Sequence, residues 1–534
     1  MSIISAVAGL MRVGGAPDPS SPIYVGGAFA TVVGTARARV AALSEDPDAA
    51  ATLYAWNPGT GNDVYALVLD GDVLYMGGAF TLVEGTTRNR LAAVSSDPDT
   101  VTPTLHPWNP NANAEVNCLI LSGAYFYIGG AFSTIGGTTR NALACVSSDV
   151  TAAATLQAWN PNVTGGTAIL YCMLLMGVDL YIGGDFTSVN GSARGYAAAL
   201  ASAPATASPA VRAWTPAPSG SVRSFAIQGN YIILGGTFTL INLATRNRLA
   251  AVLSDTSIAS PTVQPWNPNA DGSVTSLVLL GADLYMAGYF GAVNGSSRLR
   301  LAAISSDLSI ASPTVRAWNP SANGTVRALR IKDGVAWIGG SFTTLRGTAR
   351  NRLGAVDADP SIAAPTLRTW NPNVSTGGGW VYDIVIAGGS FVGIISCTGT
   401  QTGSFGSTEY FGEYGMPAGI VTKIECNAYT NFGVTGTASV YVLDADRTII
   451  EAYTGLTATR IAEIDGGSSA NCAWEVTGSW TIPAGGGLIF GSQFGGAGRN
   501  PVPNLLGIYQ STLPVIGNTA TASAYGANAR YTFS

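Results

Sequence analysis

An arginine recurs along this chain at nearly constant spacing, within RNRLAAVSSD (88–97) and its variants, with successive copies 51 to 54 residues apart. A guanidinium group offers five N–H donors, which bind carboxylates, phosphates and backbone carbonyls. A residue present in every copy of a repeat serves all copies alike, whereas a substrate contacts only a few. We therefore predict a structural role for the seven motif arginines, which are Arg37, Arg88, Arg140, Arg194, Arg246, Arg298 and Arg350.

Two kinds of partner fit these arginines. They can bind loop carbonyls or the acidic residues that follow the motif. Alternatively, they form a positive ring on one rim that docks an acidic partner. The acidic residues in question are Asp97, Asp149, Asp255 and Asp307.

Other candidates for chemistry are few. His106 is the only histidine, and the equivalent positions of the other copies hold unrelated residues, so neither a catalytic histidine nor a His-rich metal site is expected. Asp383 is the one charged residue at a repeat position that otherwise holds Ala, Cys or Ser. Its carboxylate either has a functional role or is hydrogen-bonded by neighbouring groups. Asp444 and Asp446 have a calcium-like spacing but are typical of a hairpin turn. We expect no metal and no cofactor.

The cysteines do not form a ligand set. Cys118, Cys145 and Cys172 replace alanine or serine of other copies and act as small apolar residues. No CxxC occurs. A disulfide between Cys426 and Cys472 is an open possibility.

These residues lie in a repeat with two further markers. GGAF (26–29) is the first of seven copies of a GGxF or AGYF motif, and a tryptophan opens a WNP or WTP segment in every copy. A period near 50 residues indicates a propeller, a solenoid or an array. We predict that the tryptophans pack between neighbouring units, and they are Trp56, Trp108, Trp159, Trp214, Trp266, Trp318 and Trp370.

The content of one period decides among these architectures. Residues 64–110 contain four short alternating segments separated by turns, with no sustained helical periodicity. Four strands per copy and seven copies predict a seven-bladed β-propeller. The first copy lacks its leading strand and the last copy is followed by WVYDIVIAGG, so we expect that segment to complete the first blade and close the ring.

The repeat resembles that of the delta-60 repeat family of β-propellers. YIGGDFTSVNGSARGYAAAL (181–200) and WIGGSFTTLRGTARNRLGAV (337–356) carry the pattern of that family nearly whole, and the resemblance covers about residues 23 to 398. It implies the propeller fold and says little about activity, because one fold hosts many functions.

Composition excludes two classes of partner. The net charge is −5, and no basic stretch is interleaved with aromatic residues, so a nucleic-acid groove is not expected. The sequence contains no run of about 18 apolar residues, so no membrane span is expected. The N-terminal segment lacks the basic residues and the cleavage site of a typical signal peptide.

The period ends near residue 400. Alternating segments in the remainder predict a β-sandwich of jelly-roll type. The predicted domains are an arm (1–22), the propeller (23–398), a linker (399–407) and the sandwich (408–534). The fold class is therefore all-β. Trp480, Trp474 and Tyr453 are the candidate binding residues of the sandwich, where aromatic rings could stack on a sugar.

The absence of a catalytic set, the low charge and the scarcity of lysine favour a non-enzymatic structural protein. We predict a tail, fibre or head-appendage component of a bacteriophage virion, with other virion proteins as partners, assembly as a homo-oligomer or within a larger particle, and host-surface glycan as a further ligand. The alternative is a secreted or cell-surface bacterial adhesin. A third class is a propeller enzyme acting on glycans.

Overall fold

The computed structural model describes residues 22–375 and 379–387 with their side chains, and the backbone of eight strands between residues 392 and 533. The chain divides into two compact units, 1–388 and 389–534. Strand Val392–Ile395 pairs with Ala529–Phe533 and so belongs to the second unit rather than to the predicted propeller range, which ran to residue 398. The predicted linker and the predicted arm, apart from Pro22, lie outside the described residues.

The first unit contains seven three-stranded antiparallel sheets, which are the propeller blades. In blade order, the inner strands are Val381–Ile386, Val64–Asp70, Val116–Ser122, Ile169–Met176, Val222–Gln228, Ser273–Leu280 and Val326–Lys332. The middle strands are Pro22–Gly27, Val73–Gly78, Tyr125–Gly130, Asp179–Asp185, Tyr231–Gly236, Asp283–Tyr289 and Val335–Gly340. The outer strands are Val40–Ser44, Leu91–Ser95, Leu143–Ser147, Ala197–Ala201, Leu249–Leu253, Leu301–Ser305 and Leu353–Asp357.

The predicted fourth strand of each blade is only a single bridge. In blade 2, Leu105 bridges Val94 of the outer strand, and the chain then turns inward at Trp108. Pro107 has no N–H to donate, and the inward turn of Trp108 ends the pairing.

A short hairpin that the sequence analysis did not identify connects the middle and outer strands of every blade. It lies between the phenylalanine of GGxF and the motif arginine, where a glycine or asparagine allows the tight turn. The hairpin strands are Thr31–Val32 with Thr35–Ala36, Leu82–Val83 with Thr86–Thr87, Thr134–Ile135 with Thr138–Thr139, Ser188–Val189 with Ser192–Ala193, Leu240–Ile241 with Ala244–Thr245, Ala292–Val293 with Ser296–Ser297, and Thr344–Leu345 with Thr348–Ala349. In blade 4, Val163–Thr164 adds a third strand to this hairpin.

The ring closes as predicted. Strand Val381–Ile386 pairs antiparallel with Pro22–Gly27 and becomes the inner strand of blade 1. Each inner strand contacts the inner strands of the two neighbouring blades in cyclic order, including the contact between blades 7 and 1. Because the ring closes, the inner strand of every blade has a neighbouring inner strand on both sides.

The motif tryptophans join neighbouring blades. The Trp108 side chain is fully buried, its Nε1 donates to the carbonyl of Ser147 in blade 3 at 2.7 Å, and its ring packs edge-on against Tyr75 at 5.2 Å. The same bond to the following blade forms at all the other motif tryptophans, from Trp56, Trp159, Trp214, Trp266, Trp318 and Trp370. Buried indole rings with a satisfied N–H supply much of the packing between blades.

The second unit is also built from antiparallel strands. Their order in the sheet is Val392–Ile395, Ala529–Phe533, Gly419–Tyr429, Asn471–Ile482, Ile449–Glu463, Thr435–Leu443, Gly487–Gln493 and Glu409–Tyr414. The predicted fold class is confirmed: the chain is all-β, with a seven-bladed propeller followed by a second β domain.

Candidate functional site

The motif arginines bind backbone carbonyls in the same way in every blade. In blade 2, Nη1 of Arg88 donates to the carbonyl of Thr87 and Nη2 donates to that of His106, both at 3.1 Å. These bonds join the hairpin to the segment that leads to the buried tryptophan. The other six arginines make the equivalent pair of bonds, at Arg37, Arg140, Arg194, Arg246, Arg298 and Arg350.

The acidic residues after the motif are not the partners of these arginines. The carboxylate of Asp97 accepts hydrogen bonds from the Asp99 amide at 3.0 Å and from the Thr100 hydroxyl at 2.7 Å. These bonds lower the pKa of the Asp97 carboxyl, because they favour its ionised form. The carboxylate alternative was therefore wrong, and the same turn-stabilising bonds occur at Asp149, Asp255 and Asp307.

The carboxylate of Asp383 finds all its hydrogen-bond and ion-pair partners within the propeller ring. Its carboxylate accepts bonds from the amides of Leu67 at 3.0 Å and Ile384 at 2.9 Å, and it pairs with Arg330 at 2.7 Å. Burial raises the pKa of Asp383, and Arg330 opposes that shift. Asp383 thus joins the inner strands of blades 7, 1 and 2, and every oxygen has a partner.

The remaining candidates from the sequence do not assemble into a site. His106 is half-buried, and burial lowers the pKa of its imidazole. Cys118, Cys145 and Cys172 are buried thiols, and burial raises their pKa values, so they are inert fillers. Within the described residues, no group of three His, Cys, Asp or Glu side chains could hold a metal ion.

The candidate binding residues of the second unit can be placed by strand only. Tyr453 lies in Ile449–Glu463, and Trp474 and Trp480 lie in Asn471–Ile482. Their side chains lie outside the described part of the structure, as do those of Cys426 and Cys472, and Asp444 and Asp446 as a whole.

One position of the inner strand breaks the symmetry of the ring. In blade 2, Val64 pairs with Gly78 and Ala66 with Gly77, so Tyr65 has no partner and forms a β-bulge. A bulge of this kind re-aims the side chain of the extra residue. The bulge recurs at the same position in all seven blades, but its residue does not, and the seven residues, hereafter the bulge ring, are Tyr65, Asn117, Tyr171, Arg223, Thr275, Arg327 and Tyr382.

Aromatic and cationic side chains of the bulge ring pack on one another. Tyr65 and Tyr382 meet edge to face at 5.0 Å, and Trp380 stacks parallel to Tyr382 at 6.2 Å. The guanidinium of Arg327 lies 4.1 Å above the Trp380 ring and 5.2 Å from that of Tyr382. Across the ring, Arg223 lies 4.5 Å above Tyr171. Cation–π contacts fix the plane of each guanidinium.

The polar members of the ring bind the next inner strand. The Asn117 side-chain nitrogen donates to the carbonyl of Leu170 at 3.0 Å, and the Thr275 hydroxyl donates to that of Val326 at 2.9 Å. The amide oxygen of Asn117 is buried and has no hydrogen-bond partner. An orphaned buried acceptor of this kind is costly unless a ligand supplies a donor.

Two carboxylates stand beside the tyrosines. Asp63 and Glu115 each directly precede a bulged inner strand, in adjacent blades, and both act electrostatically on Tyr65. Asp63 is half-buried and pairs with Arg39 at 3.3 Å, whereas Glu115 is exposed. Burial raises the pKa of Asp63, Arg39 opposes that shift, and the charge of Glu115 adds to it. The two carboxyls thus differ in environment, as an acid and a base must.

The bulge ring was missed in the sequence analysis, although a signal was present. The column that was compared between copies was the one containing Asp383, which varies among small residues. The preceding column holds Tyr, Asn, Arg and Thr in the seven copies.

Among the described residues, no helix is long and apolar enough to cross a membrane.

Comparison with known proteins shows likeness of fold only. No protein-family model matches the chain, and no curated protein is significantly similar to it. One similar solved structure is that of a proposed 6-phosphogluconolactonase from Bacteroides fragilis, at 10% identity and TM-score 0.43, covering 70% of this chain and 99% of the other. A second is exo-β-1,3-galactanase from Phanerochaete chrysosporium with galactose, at 12% identity and TM-score 0.28, covering 80% of this chain and 98% of the other. A third is human WBSCR16, at 9% identity and TM-score 0.33, covering 67% of this chain and 96% of the other.

These neighbours correct the functional prediction made from the sequence. They include proteins named for a lactonase and a galactanase activity, which contradicts the prediction of a non-enzymatic virion component, and that prediction is withdrawn. At such identities and TM-scores the likeness assigns no activity to this chain. Its function has to be argued from its own residues.

Proposed function

We propose that this chain acts on carbohydrate, with its site at the bulge ring. The observation that carries the proposal is the variation of the side chain at this bulged position. Seven blades repeat their arginines, tryptophans and glycines, yet the bulge residue changes from blade to blade among tyrosine, arginine, asparagine and threonine. Residues that differ from blade to blade at one position of the ring can contact different groups of one asymmetric ligand.

The residue types suit a sugar. Tyr65, Tyr382 and Trp380 form an aromatic cluster, and aromatic rings are the side chains that pack against the apolar C–H faces of a pyranose. Asn117 and the arginines supply polar atoms that bind hydroxyl groups and fix orientation. Few described parts of the propeller combine large aromatic and charged side chains so closely.

Asp63 and Glu115 give this site a route to hydrolysis. Cleavage of a glycosidic bond requires one carboxyl that donates a proton to the leaving oxygen and another that activates water or attacks the sugar carbon. Asp63, whose pKa burial raises, is suited to hold the proton, and Glu115 is the second carboxyl. Tyr65 lies beside both.

The scaffold is consistent with the repeat class that the sequence resembles. We propose that the blades are variants of the delta-60 repeat, since the GGxF, arginine and WNP elements take the same structural role in all seven copies. The activity does not follow from that class, because the residues that carry it differ from copy to copy.

The test is carbohydrate turnover and binding by the full chain. A panel of oligosaccharides is incubated with the protein, new reducing ends are measured, and binding is measured by calorimetry. Glu115→Gln and Asp63→Asn should each lower turnover by at least about a hundredfold while retaining binding. Asp99→Asn, at an exposed turn carboxylate, is the matched control and should leave turnover unchanged. Turnover that survives both site variants would place the chemistry elsewhere, and no binding to any sugar would refute the proposal.

A further inference from the structure

Blade 6 carries an exposed tyrosine where the other blades have smaller side chains. At the third position of the GGxF motif, Tyr289 stands where the other copies have Ala, Asp, Thr or Ser. Tyr289 is 59% exposed, whereas every other aromatic side chain of residues 22–375 and 379–387 is buried or mostly buried. Blade 6 therefore offers a flat apolar ring to solvent.

Tyr289 borders the bulge ring. It pairs with Ser273 at the start of the inner strand of blade 6, two residues before the bulge residue Thr275. At the equivalent position of blade 1, Ala28 packs in one cluster with two tyrosines of the bulge ring. Because the same repeat position lies beside the bulge in both blades, Tyr289 is on the face of the propeller that holds the proposed carbohydrate site.

Arg300 holds the ring of Tyr289 from one side. Its guanidinium lies 4.4 Å from the centre of the ring, and its Nη1 donates to the carbonyl of Phe290 at 2.8 Å. A cation–π contact of this kind orients the aromatic ring before any ligand binds. Since Arg300 covers one face and the residue is still 59% exposed, the opposite face is open to solvent.

Asp271 holds the loop that follows Tyr289. Its Oδ1 accepts hydrogen bonds from the amides of Gly291 at 2.7 Å and Ala292 at 3.0 Å. A side-chain oxygen accepts the equivalent two amides in blades 3, 5 and 7, from Asn113, Ser219 and Asn323. One oxygen of Asp271 therefore has the same structural role as its counterparts.

The second oxygen of Asp271 lacks the partner that its counterparts have. In blade 7, the side-chain nitrogen of Asn323 donates to the hydroxyl of Thr343 at 2.8 Å, and blade 3 has the same contact. Blade 6 has Gly291 in place of that hydroxyl residue, and no described residue donates to Oδ2 of Asp271. Asp271 is exposed, so this oxygen can accept hydrogen bonds from a ligand.

Blade 6 lies across the ring from the carboxyls of the proposed function. Asp63 directly precedes the inner strand of blade 2, and the shorter way from blade 2 to blade 6 passes blades 1 and 7. Packed β-sheets lie about 10 Å apart. A single sugar unit therefore cannot contact both Asp63 and Tyr289, and a ligand that reaches both is a chain of several units.

We propose that Tyr289 and Asp271 form a subsite for a neutral pyranose unit of a longer carbohydrate chain. The open face of Tyr289 packs against the C–H face of the sugar, and Oδ2 of Asp271 accepts hydrogen bonds from its hydroxyl groups. The unit is neutral because the carboxylate repels an anionic one. This inference rests on the proposed function and deepens it, because it makes the substrate an oligosaccharide or polysaccharide.

The experiment measures how binding depends on chain length. Oligosaccharides of β-1,3-glucan, β-1,4-glucan, galactan and mannan, from disaccharides to octasaccharides, are titrated into the full chain by calorimetry. In the series that binds, affinity should rise with length. Tyr289→Ala should weaken binding of the octasaccharide about tenfold and leave that of the disaccharide unchanged. Tyr289→Phe keeps the ring and should bind both as the parent does.

Asp271→Asn tests the carboxylate while preserving the loop, because asparagine accepts the same two amides in blades 3 and 7. The substitution replaces the acceptor Oδ2 by an NH₂ group, and we expect the octasaccharide to bind about tenfold more weakly. Leu243→Ala removes an exposed apolar side chain from the hairpin of blade 5 and should not change the affinity. Unchanged octasaccharide affinity in Tyr289→Ala and Asp271→Asn, or an equal loss in Leu243→Ala, overturns the inference.

Turnover separates this inference from the proposed function. Hydrolysis that depends on Asp63 and Glu115, but on Tyr289 at no chain length, supports the proposed function and refutes the subsite. Octasaccharide binding that depends on Tyr289 and Asp271, without hydrolysis, supports the subsite and refutes hydrolysis at the bulge ring. If the protein binds none of these oligosaccharides, both are refuted.

Discussion

Trp370 donates its indole N–H to the carbonyl of Ser44 at 2.8 Å, which joins the last repeat to the first blade across most of the chain. The bond has the same form as the one inside the array between Trp266 and Ser305, at 3.0 Å. The ring is therefore closed by the same tryptophan-to-carbonyl hydrogen bond that joins the other neighbouring blades. The inner strand Val381–Ile386 adds backbone pairing to the same junction.

We expect Trp370→Phe and Trp266→Phe to destabilise the propeller equally. Phenylalanine keeps most of the buried ring but leaves a carbonyl of the next blade without its donor, which costs about 1 kcal/mol or somewhat more. Differential scanning calorimetry of both variants measures the effect. If the ring were open at this junction, Trp370→Phe would hardly change the stability of the propeller, whereas Trp266→Phe would lower it. That result would contradict closure.

The motif arginine should be a stability residue in every blade. Arg246 donates to the carbonyls of Thr245 at 2.8 Å and Gln264 at 2.7 Å. Arg246→Ala leaves both carbonyls without this donor, and we expect a loss of about 1 to 3 kcal/mol in the free energy of unfolding, measured by chemical denaturation. Arg246→Lys is the charge control and should restore little, because an ammonium cannot reach both carbonyls with a planar fork. Full stability of Arg246→Ala with loss of binding to an acidic partner would instead support the docking ring.

Stability should fall in acid partly through the turn carboxylates. Hydrogen bonds within their turns lower the pKa of Asp97, Asp149, Asp255 and Asp307. A group whose pKa is lower in the folded state stabilises the fold above its unfolded pKa, near 3.9, and loses that contribution as pH falls through the folded value.

Asparagine at these four positions accepts the amide hydrogen bonds at any pH. The fourfold Asp→Asn variant should therefore show a shallower fall of unfolding temperature below about pH 4 than the parent, measured by calorimetry at a series of pH values. Parallel curves for the two proteins would show that these carboxylates do not contribute to the acid dependence.

The sequence was sufficient for the architecture because the architecture repeats. Seven copies of GGxF and WNP define blade number, and the missing strand of the first copy with the extra strand after the last predicts closure. The hairpin between GGxF and the motif arginine was missed because its strands have only two residues each, too short for a visible alternation. The segment before each motif tryptophan was assigned as a strand because its alternation resembles one, but it forms a single bridge before the buried tryptophan.

The candidate site, unlike the architecture, could not be predicted from the repeated motifs. Its residues come from different repeats, and Tyr65 and Tyr382, which lie far apart in the chain, are neighbours in space because the ring closes. The bulge that aims them is a backbone feature without a residue signature of its own, since Tyr, Asn, Arg and Thr all occupy it. Recognising it required the register of the inner and middle strands.

The two glycines of GGxF should differ sharply in their tolerance of a side chain, because only the second lies beneath the bulge. In blade 5, a Cβ at Gly235 would meet the Ser224 hydroxyl at 2.6 Å and Val274 at 2.9 Å, which are side-chain atoms. A Cβ at Gly236 would lie 2.1 Å from the backbone carbonyl oxygen of Ser221, which directly precedes the bulged strand. Side chains can shift to admit a methyl group, whereas the backbone carbonyl can move only if the bulge changes.

Blade 6 provides a natural control, because Ala287 stands where the other blades have the first glycine and opposes Ser276, as Gly235 opposes Ser224. We expect Gly235→Ala to cost about 1 kcal/mol or less and Gly236→Ala about 3 kcal/mol, measured by chemical denaturation. Because the bulge at Arg223 orients its guanidinium over Tyr171, Gly236→Ala should also weaken carbohydrate binding, and Gly235→Ala should not. Equal effects of the two substitutions would show that the bulge does not control the position of Arg223.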